Sequence, residues 1–166
     1  MISSNYFVET LNHIASLPTR YEIRSPKNLG YYDGDYYYYD WNLFKVVINR
    51  IELNGEWYDS EIGEYQKDLS ITKDLSPISL LDACKTKSNN FSELSQIGAY
   101  VLIRNSISGV YIGNIVINGK HFNCIEASNN GIQYGWIDAD GTRRKYQGGA
   151  KNGQWTDWGL LPWINY

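Results

Sequence analysis

Few side chains in this chain could do covalent chemistry. In 166 residues there are two thiols, Cys84 and Cys124, and two imidazoles, His13 and His121. A thiol beside an imidazole could form a cysteine hydrolase, in which the imidazole takes the proton and the thiolate attacks a carbonyl. Only Cys124 and His121 stand close together in the sequence. On a strand, however, residues 121, 123 and 125 share one face and residue 124 points to the other. A working dyad needs hydrogen-bond contact, at about 3 Å. Cys124 therefore reads as a core residue, and His121 as a strand-end residue after the Gly119-Lys120 turn. Cys84, in "LLDACK", reads as buried packing. Nothing in the cysteine spacing implies a disulfide, and no CxxC or clustered-His pattern implies a metal. No cofactor is expected.

Carboxylates are the second candidate chemistry. Asp33, Asp35 and Asp40 cluster near an aromatic run, and Glu126 and Asp138 fall on or near strands. Glycosidases need two carboxylates a few ångströms apart across a cleft, and the sequence places no two of these so. Asp40 reads better as a helix cap. Ser106 and Ser108 have no His in position to activate them and read as strand-edge polar residues. Fifteen Lys and Arg against 18 Asp and Glu give a net charge of −3. That balance argues against a general polyanion binder, so no nucleic-acid partner is expected. The one basic cluster, Arg143, Arg144 and Lys145, follows "DADG" and reads as a solvated hairpin tip or exposed strand.

The aromatic residues read first as large amphipathic fillers of core and surface, with binding as the functional alternative. Aromatics are 15% of the chain, with 15 Tyr and 6 Trp. In "GDYYYYDWN", Tyr36 and Tyr38 would point one way on a strand and Tyr37 and Tyr39 the other, so one pair can join a core. The functional reading is a binding surface, because Tyr and Trp are enriched at interaction hot spots. Trp155, Trp158 and Trp163 are expected to pin the C-terminal segment to a sheet.

Helices and strands must position these groups. Phe7, Leu11, Ile14 and Ala15 recur at helical spacing between Asn5 and Ser16; Ser3 or Ser4 can cap the start, and Pro18 ends the stretch. After Asp40, Leu43, Val47 and Ile51 form a stripe beside Phe44 and Ile48, which predicts a buried helix. Pro77, with Ser76 as its cap, opens a short helix over "PISLLDACK". The second half reads as antiparallel strands with tight turns: "GAYVLIRN", "GVYIGNIVING", "KHFNCIEAS", "GIQYGWIDADG" and "TRRKYQGG". Helices first and strands later predict an α+β fold, in one domain spanning residues 1–166. The N-terminus lacks the pattern of a signal peptide, and no apolar stretch approaches membrane length. Synthesis in the cytoplasm is expected, with no membrane insertion and any release to the cell wall by a non-Sec route.

Five blocks, in order, resemble the NlpC/P60-like cysteine peptidases found in endolysins and peptidoglycan hydrolases of Firmicutes and their phages. They are "FVETLNHIASLPTRYEI", "NLGYYDGDYYYYDWNLFKVVI", "DLSPISLLDACKTKSNNFSEL", "GVYIGN" and "WTDWGLLPWINY". The resemblance covers nearly the whole chain. It implies a papain-like fold, with helices packed on a central antiparallel sheet, and chemistry directed at cell-wall peptide or amide bonds. It also implies a catalytic Cys after an Asp at the start of a helix, a His just before the "GVYIG" run, and a third polar residue orienting that His. Here those positions carry Trp41, Ile107 and Asn123. Nucleophile and base are both missing, and losing either costs such chemistry orders of magnitude.

The resemblance thus implies a pseudoenzyme: a catalytically inactive relative that binds a cell-wall fragment or a protein partner, as a regulator, immunity-type protein or decoy. Its groove would be lined by Tyr36, Tyr37, Tyr38, Tyr39, Trp41 and Asn123. Two alternatives stay open. One is an active peptidoglycan peptidase or amidase with relocated catalytic residues. The other is a structural component of a phage or conjugation assembly.

Overall fold

A computed structural model of the chain describes residues 2–15, 77–128, 131–162 and 164–166. Helix α1 spans Ser4–Ala15. Of the two candidate caps, Ser3 does the work: its Oγ accepts a hydrogen bond from Tyr6 N at 3.1 Å. Phe7 and Leu11, one turn apart, are fully buried, which is the stripe that the spacing predicts. Helix α2 spans Pro77–Ala83 and buries Leu80 and Leu81. Pro77 suits its first position because a first-turn N–H has no partner within the helix in any case.

Most of the remaining regular structure is strand. Strands β2 (Lys87–Ser88), β3 (Tyr100–Ile103), β4 (Ile107–Ile117), β5 (Lys120–Ser128), β6 (Gly131–Ile137), β7 (Thr142–Arg144), β8 (Lys151–Gln154) and β9 (Asp157–Gly159) form one eight-stranded sheet. Its order is β2-β9-β3-β4-β5-β6-β7-β8, and every pairing is antiparallel. The terminal pair β1 (Ile2–Ser3) and β10 (Ile164–Asn165) runs parallel, apart from that sheet. Local chemistry sets the long β4–β5 hairpin. Asn118 and Gly119 both take positive φ, 51° and 77°, as a two-residue turn that matches strand twist requires.

The α+β papain-like expectation is overturned. The described residues hold two helices, of 12 and 7 residues, against eight sheet strands, so the architecture is nearly all-β. The expected helix over residues 43–51 lies outside the described residues, as do its cap Asp40 and the cap Ser76 of the next helix. Part of the correction lies in the tail. "WTDWGLLPWINY" reads as an aromatic strap laid on a sheet, yet it supplies strands itself.

One stretch of that chain rolls the sheet up. Lys151–Gln154 pairs with β7 at one end of the ladder, and Asp157–Gly159 pairs with β3 near the other. Between them Trp155 N donates to Gly141 O at 2.8 Å and Thr156 N donates to Leu102 O at 2.9 Å. The same segment therefore joins both ends, and the strands from β3 to β7 curl towards a closed barrel. Trp155 sits at the corner, 2% exposed, and packs inward with Phe91, Val101, Ile107, Cys124, Ile137 and Trp158. Gly109 on β4 admits it. A Cβ there would lie 3.3 Å from Trp155 Cη2 and 2.9 Å from Ile125 O, too close for any side chain. The opposite face is apolar as well: Tyr100, Leu102, Val110 and Ile125 are buried. Helix α1 lies against β5 and β6, and α2 against β3 and β9. No described helix is long and apolar enough to cross a membrane.

Candidate functional site

The rescue dyad does not form. Strand alternation sends Cys124 into the roll, fully buried. His121 lies three residues earlier, partly exposed, with Nδ1 3.0 Å from Asn114 Oδ1. Burial pushes the Cys124 thiol well above its ordinary range; the Glu126 carboxylate adds to this, and Arg143 and the Gly135 N–H oppose it. Cys84 is likewise buried, its Sγ donating to Leu80 O at 3.3 Å. Burial raises its pKa from 9.0 to about 12, against a smaller opposing effect of Lys87. Both thiols are free and stay protonated near neutral pH, so neither supplies a ready nucleophile.

This state has a direct readout. Both cysteines should resist iodoacetamide at about pH 8 in the folded chain and react once guanidinium unfolds it. Native-state labelling at the rate of a free thiol would contradict it. The Cys84 shift also predicts an alkaline loss of stability. The unfolded thiol ionises near 9 while the folded one holds its proton, so the stabilisation is fully present below pH 9 and is lost as pH rises towards 12.

The positions that the resemblance assigns to base and orienter are engaged in the fold itself. Ile107 belongs to the core cluster, 8% exposed. Asn123 is buried and bonds twice to one residue: its Nδ2 donates to Ile137 O at 2.9 Å, and its Oδ1 accepts from Ile137 N at 2.7 Å. The regular β5–β6 ladder stops at Cys124 and Gly135. The Asn123 amide therefore takes the place of a backbone partner where the strands part. Asn123→Ala orphans a buried N–H and a buried C=O. It should cost about 2–6 kcal/mol, at about 1–3 kcal/mol for each unsatisfied group, measured by urea unfolding. Trp41 and the tyrosines Tyr36, Tyr37, Tyr38 and Tyr39 lie outside the described residues, as do Asp33, Asp35 and Trp163.

Of the candidate carboxylates only Glu126 and Asp138 are described, and they do not pair across a cleft. Glu126 is 1% exposed and is bound within the roll. Arg143 Nε donates to its Oε2 at 3.0 Å, Arg143 Nη2 donates to Oε1, and Gln133 Nε2 donates to Oε1 at 2.7 Å. The third guanidinium nitrogen, Nη1, reaches Asn152 O at 2.7 Å. Asp138 faces the other way. It accepts from Trp136 Nε1 and from Arg144 Nε, each at 2.8 Å. The basic cluster thus departs from its expected solvated surface: Arg143 is buried, Arg144 is half-buried, and Lys145 alone of the three is exposed. Ser108 is buried too, its Oγ 3.1 Å from Tyr100 Oη, while Ser106 is exposed in a turn. Among the described residues no three His, Cys, Asp or Glu side chains gather to hold a metal.

No family model matches the chain, and neither does any curated protein or solved structure. What the described part offers is a rigid surface of half-exposed aromatic and charged groups on β6 and β7. Sequence reasoning passed over Trp136 and Asp138 as a unit. The signal was present in "GWIDADGTRR": residues 136 and 138 share a strand face, and a tight turn returns Arg144 beside them.

Proposed function

We propose that this chain acts by binding, without covalent chemistry, as a catalytically inactive relative of cell-wall peptidases whose target is a peptidoglycan fragment or a protein that handles one. The observation that carries this reading is the engagement of Cys124, Glu126, Asn123 and Ile107 in the fold. Cys124 is sealed in the roll with its thiol protonated, and Glu126 is neutralised by Arg143. Asn123 splints two strands, and Ile107 offers only a hydrocarbon where a base would act. Chemistry of the nucleophile–base kind needs a polarised pair in contact with substrate, and these buried residues form no such pair. The link to the cell wall comes from the five sequence blocks alone.

The test is incubation with purified Gram-positive peptidoglycan. The expected result is co-sedimentation of the protein with the wall, with no release of amines and no loss of turbidity. Hydrolysis that survives Cys124→Ala would overturn the reading. So would failure of the protein to sediment with the wall and with any protein that degrades it.

A further inference from the structure

A row of three side chains crosses adjacent strands on the outer face of the sheet. Trp136 on β6 pairs in register with Arg144 on β7, and Arg144 pairs with Lys151 on β8. Residues paired in register point to the same side. The neighbours Ile137 and Arg143, also a register pair, point inward and are buried. At about 4.8 Å between strands, the row from ring to ammonium spans roughly 10 Å.

The row is pre-organised. Asp138 Oδ1 accepts from Trp136 Nε1 and Oδ2 accepts from Arg144 Nε, both at 2.8 Å, so a single carboxylate fixes the indole and the guanidinium together. Arg144 Nη1 is anchored on Gly149 O at 2.8 Å, which leaves Nη2 outside both bonds. The ring of Tyr146 packs on Gly149, with its Cε2 3.2 Å from where a Cβ would stand. Lys120 Nζ lies 4.5 Å from the centroid of that ring. Gln147 N ties this loop to His121 O at 2.9 Å. Trp136 and Arg144 are half-buried and Lys151 is exposed, so the row meets solvent while its inner members hold still.

An indole with a fixed orientation presents a flat, electron-rich face, on which the C–H face of a sugar ring can stack. A guanidinium and an ammonium beside it suit a carboxylate. Asp138 already balances Arg144, so the net positive charge of the row comes from Lys151 on the next strand. We propose that Trp136, Arg144 and Lys151 form a shallow subsite for a pyranose that carries a carboxylate, the ring lying on Trp136 and the acid reaching Arg144 and Lys151. The ligand class rests on the wall-binding reading above. The row itself rests on register and hydrogen bonds.

The probes are N-acetylmuramic acid and N-acetylglucosamine, which differ by the acidic arm. They are titrated into the full 15N-labelled chain, and the indole N–H resonance of Trp136 is identified by its loss in Trp136→Phe. The acid should move that resonance saturably, and the neutral sugar should need at least fivefold more. Lys151→Glu, on an exposed strand, should weaken the acid at least tenfold, leave the neutral sugar unchanged and leave distant resonances in place. A Trp136 signal unmoved by the acid overturns the subsite. Equal affinity for the two sugars does so too, as does an acid titration indifferent to Lys151→Glu. Sedimentation with peptidoglycan separates this proposal from the reading beneath it. If the wild type sediments with the wall but the acid leaves the Trp136 resonance unmoved, wall binding stands and the subsite falls. If the acid binds at Trp136 but the wild type leaves the wall in solution, the subsite stands and wall binding falls.

Discussion

Glu126→Ala is expected to lower the free energy of unfolding by about 3–5 kcal/mol, the cost of leaving one partner of a buried ion pair without its counter-charge. Arg143 would keep its bond to Asn152 O but lose both bonds to the carboxylate, inside a roll from which water is excluded. Gln133 would lose its acceptor as well. A domain of this size has roughly 5–15 kcal/mol in total, so the variant should be far less stable and is best measured by urea unfolding at low temperature. The double variant Glu126→Leu with Arg143→Met is the informative control. Removing both charges together should recover most of the loss, since a buried pair replaced by apolar groups is often neutral or stabilising. A loss under about 1 kcal/mol in the single variant would mean that water reaches the pair and that the roll is open there.

Trp155→Ala is expected to cost about as much, some 3–5 kcal/mol for emptying a large aromatic site in a core. The residue fills the corner where β8 becomes β9, against Gly109 and the inner cluster. Its loss should loosen the closure of the sheet as well as the packing. Hydrogen exchange would report this as faster exchange at Trp155 N and Thr156 N, which hold the two ends together. Trp155→Phe separates packing from polarity. Among the described residues Trp155 Nε1 is buried without an acceptor, and a buried donor left unsatisfied costs about 1–3 kcal/mol. The Phe variant removes that burden along with part of the ring, so it should fall well short of the Ala variant. Equal losses in the two would place the value of Trp155 in the full reach of its indole, whose Cη2 lies against Gly109 and which Phe lacks.

The elements with strong local signals were legible in the sequence. The 3.6-residue stripe of Phe7 and Leu11 gave α1, Pro77 opened α2, and alternating runs with a tight turn between them gave the β4–β5 hairpin, although its turn falls at Asn118-Gly119, one residue before the expected Gly119-Lys120. In each case the deciding physics acts within a few residues: side-chain periodicity, a missing donor, a backbone that tolerates positive φ. The separation of His121 from Cys124 was legible for the same reason, since alternation along one strand is a local property. The fold class was not. Whether "WTDWGLLPWINY" lies on a sheet or belongs to it depends on ladders to β2 and β3, which stand far away along the chain.

The candidate site divides along the same line. Charge by itself argued against a polyanion binder, the aromatic content read first as packing, and the sequence blocks named the positions where a nucleophile and a base would be missing. Only the tertiary structure decided what the remaining polar residues do. Asn123, expected in a groove, holds Ile137 across a gap between strands. Arg143 and Arg144, adjacent and alike in the sequence, part at the sheet: one enters the roll to neutralise Glu126, and the other stays outside with Asp138 and Trp136. Sequence fixes which residues alternate, but which face becomes the interior is set by how the strands pair and by the segment that closes them.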